Sequence, residues 1–189
     1  WYRQSKFCTT VASGMQTPIE GTLRLLELHE KLPDPLIVLD VFGGTGLYKT
    51  LDLSRRSEHL THIEIDPGLS HHAQKALPRE KTAFLVEDCI QAVRKGDLPR
   101  DDYNFIHIDN PPGRFGKDYC ENFDLFPEIL NCLGDCGVVV FNVWLDIRRQ
   151  KSDNDWERRR RDFFELPEQL DATNSVSYTH LTLPTKLAV

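Results

Sequence analysis

Long apolar runs are missing from this 189-residue chain, and so is any excess of positive charge. No stretch of about 18 apolar residues occurs, so no membrane-spanning helix is expected. Lys and Arg number 23 against 29 Asp and Glu, a net charge of −6. No global positive field therefore advertises a nucleic-acid partner, and such binding would need a local basic patch. No C-x-x-C occurs, and the five cysteines (Cys8, Cys89, Cys120, Cys132, Cys136) are an odd number. Neither a disulfide framework nor a zinc site is expected; the thiols read as reduced, in a cytoplasmic protein. H-E-x-x-H, G-x-S-x-G and G-x-x-x-x-G-K-[ST] are also absent, which disfavours the metalloprotease, serine hydrolase and P-loop classes. No signal peptide is visible, and because the chain begins at Trp1 its natural start is expected upstream.

What is present has the balance of a globular domain with one substantial core: 40% hydrophobic and 28% charged residues. Its most informative stretch is PLIVLDVFGGTG, Pro35 to Gly46. A β-rich run carrying one acid, Asp40, passes Phe42 into Gly43, Gly44 and Gly46, with a helical run expected from Thr45 to Tyr48. A strand, a glycine turn and a helix form the opening unit of a nucleotide-binding sheet. Glycines let a ligand approach the main chain, and the helix start offers unpaired N–H groups. A nicotinamide dehydrogenase would need glycine at position 49, which is Lys49.

Upstream, Thr17-Pro18-Ile19-Glu20 reads as a capped helix start, with Leu23, Leu25, Leu26, Leu28 and Leu32 widening the apolar face up to Pro33. Downstream, Leu60–Ile65 reads as a second strand with Glu64 at its carboxyl end, and Asp66-Pro67 opens a helix. Thr82–Val86 is a third strand ended by Glu87-Asp88-Cys89, where Asp88 is also a natural cap for a helix from Ile90 to Lys95. Tyr103–Ile108 is a fourth strand running into Asp109-Asn110-Pro111-Pro112-Gly113. Phe123–Leu133 is expected helical, Gly134–Gly137 a turn, and Val138–Trp144 a buried fifth strand. Five alternations predict an α/β, doubly wound, mostly parallel sheet. Arg158 to Arg161, beside Phe163 and Phe164, read as a solvated helix face.

The turn D-V-F-G-G-T-G resembles the first motif of class I S-adenosylmethionine-dependent methyltransferases. Its wording is similar to the branch that methylates exocyclic or amide nitrogens, as is Asn110-Pro111-Pro112 to that branch's N-P-P-x motif. The resemblance covers about Pro35 to Trp144 and implies a Rossmann-like fold, truncated after the fifth strand, with S-adenosylmethionine as cofactor. It implies that Asp40, Phe42, Gly43, Gly44 and Gly46 shape the cofactor turn, that Glu64 meets the ribose, and that Ile65 is also cofactor-binding. It further implies that Asp88 and Cys89 meet the adenine, that Asp109 faces the sulfonium end, and that Asn110, Pro111 and Pro112 hold the acceptor amine. An amine nitrogen conjugated to a π system is a poor nucleophile, and acceptors on both its N–H bonds favour a pyramidal nitrogen with its lone pair presented. That family's fourth motif position is aromatic; here it is Gly113, and Phe115 is the candidate substrate-binding ring.

Residues 1–34 are thus read as an N-terminal segment with a capped helix, and 35–174 as the catalytic domain. Residues 175–189 read as a non-native tail, since SVSYTHLTLPT resembles a translated sequencing adapter. The acceptor is left open, with nucleic acid among the classes, and so is the oligomeric state. A small-molecule methyltransferase, a spermidine-synthase-like aminopropyltransferase and a silent partner-binding subunit are the alternatives.

Overall fold

The strands at Ile37–Val41, His59–Ile63 and Tyr103–Ile108 bury both faces, because helices cover the sheet on either side, whereas Thr82–Leu85 at the sheet edge is mostly half-buried. The computed structural model describes residues 18–109 and 124–141, and the backbone of 175–178. In chain order the elements are α1 (Pro18–Leu28), β1 (Ile37–Val41), α2 (Lys49–Arg56), β2 (His59–Ile63), α3 (Pro67–Ala76), β3 (Thr82–Leu85), α4 (Cys89–Lys95), β4 (Tyr103–Ile108), a 3-10 helix (Glu128–Cys132), β5 (Leu133–Phe141) and β6 (Ser175–Tyr178). The sheet order is β3-β2-β1-β4-β5-β6, and every pairing is parallel. The order reverses between β1 and β4, the point where open α/β sheets leave a crevice beyond the strand ends.

Strand periodicity of two sorts the core into two layers. Val38, Leu60, Phe105, Val138 and Val140 pack with Ile19 and Leu23 of α1, Leu53 of α2 and Ala73 of α3. Leu39, Val41, Ile63, Ile106, Ile108 and Phe141 pack on the other face with Cys89 and Val93 of α4 and Ile129 of the 3-10 helix. Helices on both faces make the sheet doubly wound. Arg56 ties α2 to α1 through Glu20 at 3.1 Å and Glu27 at 3.3 Å.

Several boundaries differ from the sequence reading. The first helix ends at Leu28, not Leu32, and Leu28 is 78% exposed because it lies past the strip that meets the sheet. Thr17, the expected cap, lies outside the described residues. Thr45–Tyr48 is not helical: Phe42, Gly44, Gly46 and Tyr48 all take positive φ, so the chain cannot enter the α region until Lys49. Leu47 and Tyr48 are exposed as a result. The described part of 123–133 is a short 3-10 helix rather than an α-helix.

The expected turn Gly134–Gly137 is inside β5, where Tyr103 pairs with Leu133 but Phe105 pairs with Val138. Five steps on β5 against two on β4 make a bulge, which explains turn-type residues within a strand. The described part of β5 ends at Phe141; Trp144 lies outside it. A sixth strand, which the sequence reading did not place, forms at Ser175–Tyr178 within the adapter-like stretch and pairs parallel to β5.

Candidate active site

The site is assembled from the carboxyl ends of β1, β2 and β4. After β1 the chain passes Phe42, and Gly43 N–H donates to the Ile63 carbonyl at the end of β2 (3.0 Å). Gly43 has no room for a side chain: a Cβ there would run into the His62 ring and the Asp40 carboxylate. Gly46, with φ +71°, lies against α3, where a Cβ would meet Ala73 at 2.9 Å. Gly43 and Gly46 are therefore dictated by what lies under and beside the turn, and Gly44 by its φ of +58°.

Glu64 directly follows β2 and is buried. One carboxylate oxygen accepts from Gly44 N–H at 2.8 Å and the other from Asp66 N–H at 2.9 Å. A carboxylate has about four lone-pair sites, so two main-chain bonds leave acceptor capacity for a ligand. Next to it Ile65 is 53% exposed, and Val86, past the end of β3, is 50% exposed. Asp66 caps α3 through Gly68 and Leu69 N–H. Asp88 caps α4, a single oxygen accepting from Ile90 N–H at 2.9 Å and Gln91 N–H at 3.3 Å. Cys89 is buried, and burial first, then the Asp88 charge, pushes its thiol up to about 12.

Asp109 follows β4, and its N–H donates to the Val41 carbonyl at 3.1 Å. Its carboxylate forms an ion pair with Lys49 at 2.6 Å, across from the first residue of α2. Lys49 entered the sequence reading only as the residue that breaks a dehydrogenase glycine pattern. Asn110, Pro111, Pro112, Gly113 and Phe115 lie outside the described residues.

Beneath the turn is a cluster that the sequence reading missed. Asp40 pairs in register with His62 on β2 and with His107 on β4. Its two oxygens meet His62 Nδ1 at 3.2 Å and His107 Nδ1 at 2.7 Å. All three side chains are buried. Burial alone would raise the Asp40 carboxyl; hydrogen bonds from His107 and then His62 more than reverse that and hold it well below the usual carboxylate range. An ionised Asp40 only accepts, so both Nδ1 atoms donate. The signal was available: IVLDV, HLTHI and YNFIHI each carry their polar residue one place before the strand end.

Glu64 and Asp109 thus flank one glycine turn, from the strands on either side of β1. Among the described residues no group of three or more ligating side chains is placed to hold a metal ion. No helix among them is long and apolar enough to cross a membrane.

Comparison with known proteins gives the fold. No family model matches the chain, and no curated protein matches it. Among solved structures, an rRNA methylase from Streptococcus thermophilus aligns with TM-score 0.54 and 15% identity, over 84% of this chain and 83% of that one. SAM-bound CalS10, an amino pentose methyltransferase from Micromonospora echinaspora, aligns with TM-score 0.54 and 20% identity, over 74% of this chain and 55% of its own. A TehB-like SAM-dependent methyltransferase from Corynebacterium glutamicum aligns with TM-score 0.50 and 19% identity, over 78% of this chain and 70% of its own. The chain spans little more than half the length of several methyltransferase structures that it matches, 54% and 55% for two of them. The architecture is the Rossmann-like fold of class I methyltransferases.

Proposed function

We propose that this chain binds S-adenosylmethionine at the β1–β4 switch point and acts as all or part of a methyltransferase for an exocyclic or amide nitrogen. The observation that carries the reading is the joint placement of Glu64 on Gly44 and of Asp109 beside Lys49, on either side of the same turn. S-adenosylmethionine, when bound, supplies an electrophilic methyl group on a sulfonium.

The chain's own residues do the holding. Glu64 keeps acceptor sites for ribose hydroxyls after its two main-chain bonds, which is what a ribose ligand needs. Ile65 and Val86 offer exposed apolar surface at neighbouring strand tips, suited to the faces of an adenine ring. Asp88 spends one oxygen on the α4 cap, which leaves the other for an adenine amino group. The cap and the ligand role are compatible in one side chain. Cys89 follows with its thiol neutral and buried, so its part is main-chain contact rather than nucleophilic chemistry.

Assignment of the acceptor rests on the sequence Asn110-Pro111-Pro112. The Asn110 side-chain oxygen and the Pro111 carbonyl are the groups that would accept from an amine, and Phe115 is the ring that would stack on it. Asn110 and Pro111 would turn the acceptor nitrogen's lone pair towards the methyl group that the cofactor supplies, and the proton lost by that nitrogen would pass to solvent. Acceleration then comes mainly from orientation.

Calorimetric titration with S-adenosylmethionine tests the reading. Saturable binding is expected, and Glu64→Ala is expected to weaken it about 10- to 100-fold, the worth of a charged hydrogen bond. An unchanged dissociation constant would count against the ribose assignment, and absence of binding to the unaltered chain against the whole reading.

A further inference from the structure

Three buried ionisable side chains in one row, under a turn of glycines, are more than folding requires of that face. The same layer is otherwise closed by apolar side chains such as Val38, Leu60, Phe105 and Val140. An apolar residue at each of the three positions would meet the packing need without desolvating a charge. Asp40, His62 and His107 occupy aligned positions of β1, β2 and β4, the strands whose ends form the cradle. They do not converge on a metal: both Nδ1 atoms point to the carboxylate between them.

We propose that His62 and His107 are positioning residues for the cofactor turn, acting through Asp40 and Gly43. This rests on the S-adenosylmethionine reading and extends it to residues below the ligand. His107 at 2.7 Å and His62 at 3.2 Å hold the carboxylate from two sides, so Asp40 cannot swing in its strand plane. The His62 ring and Asp40 carboxylate together fill the space where a Gly43 Cβ would lie, so they form the floor on which the turn rests. From Gly43 the main chain leads directly to Gly44, whose N–H holds Glu64 at 2.8 Å. The ring is itself steadied by an edge contact with Phe84 of β3, centroids 5.9 Å apart. The path from histidine to Glu64 is therefore continuous: ring, Gly43, Gly44 N–H, carboxylate.

The position of the donor decides the test. Asparagine places its amide nitrogen where imidazole has Nδ1, whereas glutamine carries it one bond farther out, away from Asp40. We would compare His62→Asn, His62→Gln, His107→Asn and His107→Gln by S-adenosylmethionine calorimetry, with near-ultraviolet circular dichroism confirming native packing. The asparagine forms are expected to bind within about threefold of the unaltered chain, and the glutamine forms at least about tenfold more weakly, as one lost charged hydrogen bond implies. A merely structural role would lower the melting temperature of these variants and leave the affinity of the folded protein alone. Asparagine and glutamine forms that bind alike would overturn the proposal. Failure of the unaltered chain to bind would instead remove the reading on which it stands.

Discussion

Asp40 concentrates the largest electrostatic stake in the smallest space. Its folded carboxyl is held below the ordinary value of about 3.9, so the stability it contributes is present above that value and is lost as pH falls through the folded one. Asp40→Asn is therefore expected to lower unfolding free energy by about 1.5–3 kcal/mol at pH 7, the worth of a hydrogen bond to a charged group. The deficit should persist down to about pH 4 and shrink below it, as urea midpoints at several pH values would show. A deficit that grew towards acid would mean that the carboxyl is not ionised in the fold. The thiols give a second residue-level expectation. Burial pushes Cys89 up to about 12 and Cys132 up to about 11, while Cys136 is exposed on the β5 bulge. At pH 8, iodoacetamide should modify Cys136 on the order of 100-fold faster than either buried thiol, read by peptide mass mapping.

Between elements, the contact that matters is Lys49 on Asp109, which joins the start of α2 to the end of β4 across the turn. Both side chains are about a third exposed, so solvent screens the pair. Lys49→Met is expected to change the urea midpoint by less than about 1 kcal/mol equivalent, because exposed pairs contribute little. A larger loss would make the pair part of the fold rather than of the site. This contact was not legible beforehand: a lysine after a glycine turn carries no signal of which strand end it will face. Strand identity was legible, because Leu60 to Ile63 and Tyr103 to Ile108 are rich in β-branched and aromatic residues bounded by turn formers. Helix starts were legible where a cap exists, as at Asp66 and Asp88. The α2 start was misplaced because Tyr48 takes positive φ, which no propensity rule anticipates for a bulky residue. The β5 bulge was misread for a related reason: Gly134 and Gly137 have one composition in a turn and in an interrupted strand.

Over the whole molecule, the site lies where the strand order reverses, and β6 is separated from β1 by β4 and β5. Deletion of residues 175–189 is therefore expected to leave S-adenosylmethionine affinity within about threefold while removing the pairing of Ser175–Tyr178 with β5, since distant sites act independently. Calorimetry on the shortened chain reads this directly, and loss of binding would make the sixth strand part of the ligand-binding unit. The doubly wound order could be anticipated from alternation alone; the polar residue one place before each strand end hinted at a row of Asp40, His62 and His107, but their joining depends on the register of three strands at once.

The account depends on the ends of β1, β2 and β4 forming one cradle for an adenosyl ligand. A crystal structure of the chain with S-adenosylhomocysteine tests that most directly. Ribose hydroxyls within about 3 Å of the Glu64 carboxylate, with the main chain of Gly43 and Gly44 against the ligand, are the predicted result. A ligand seated away from the glycine turn, with Glu64 touching only Gly44 and Asp66, would contradict it.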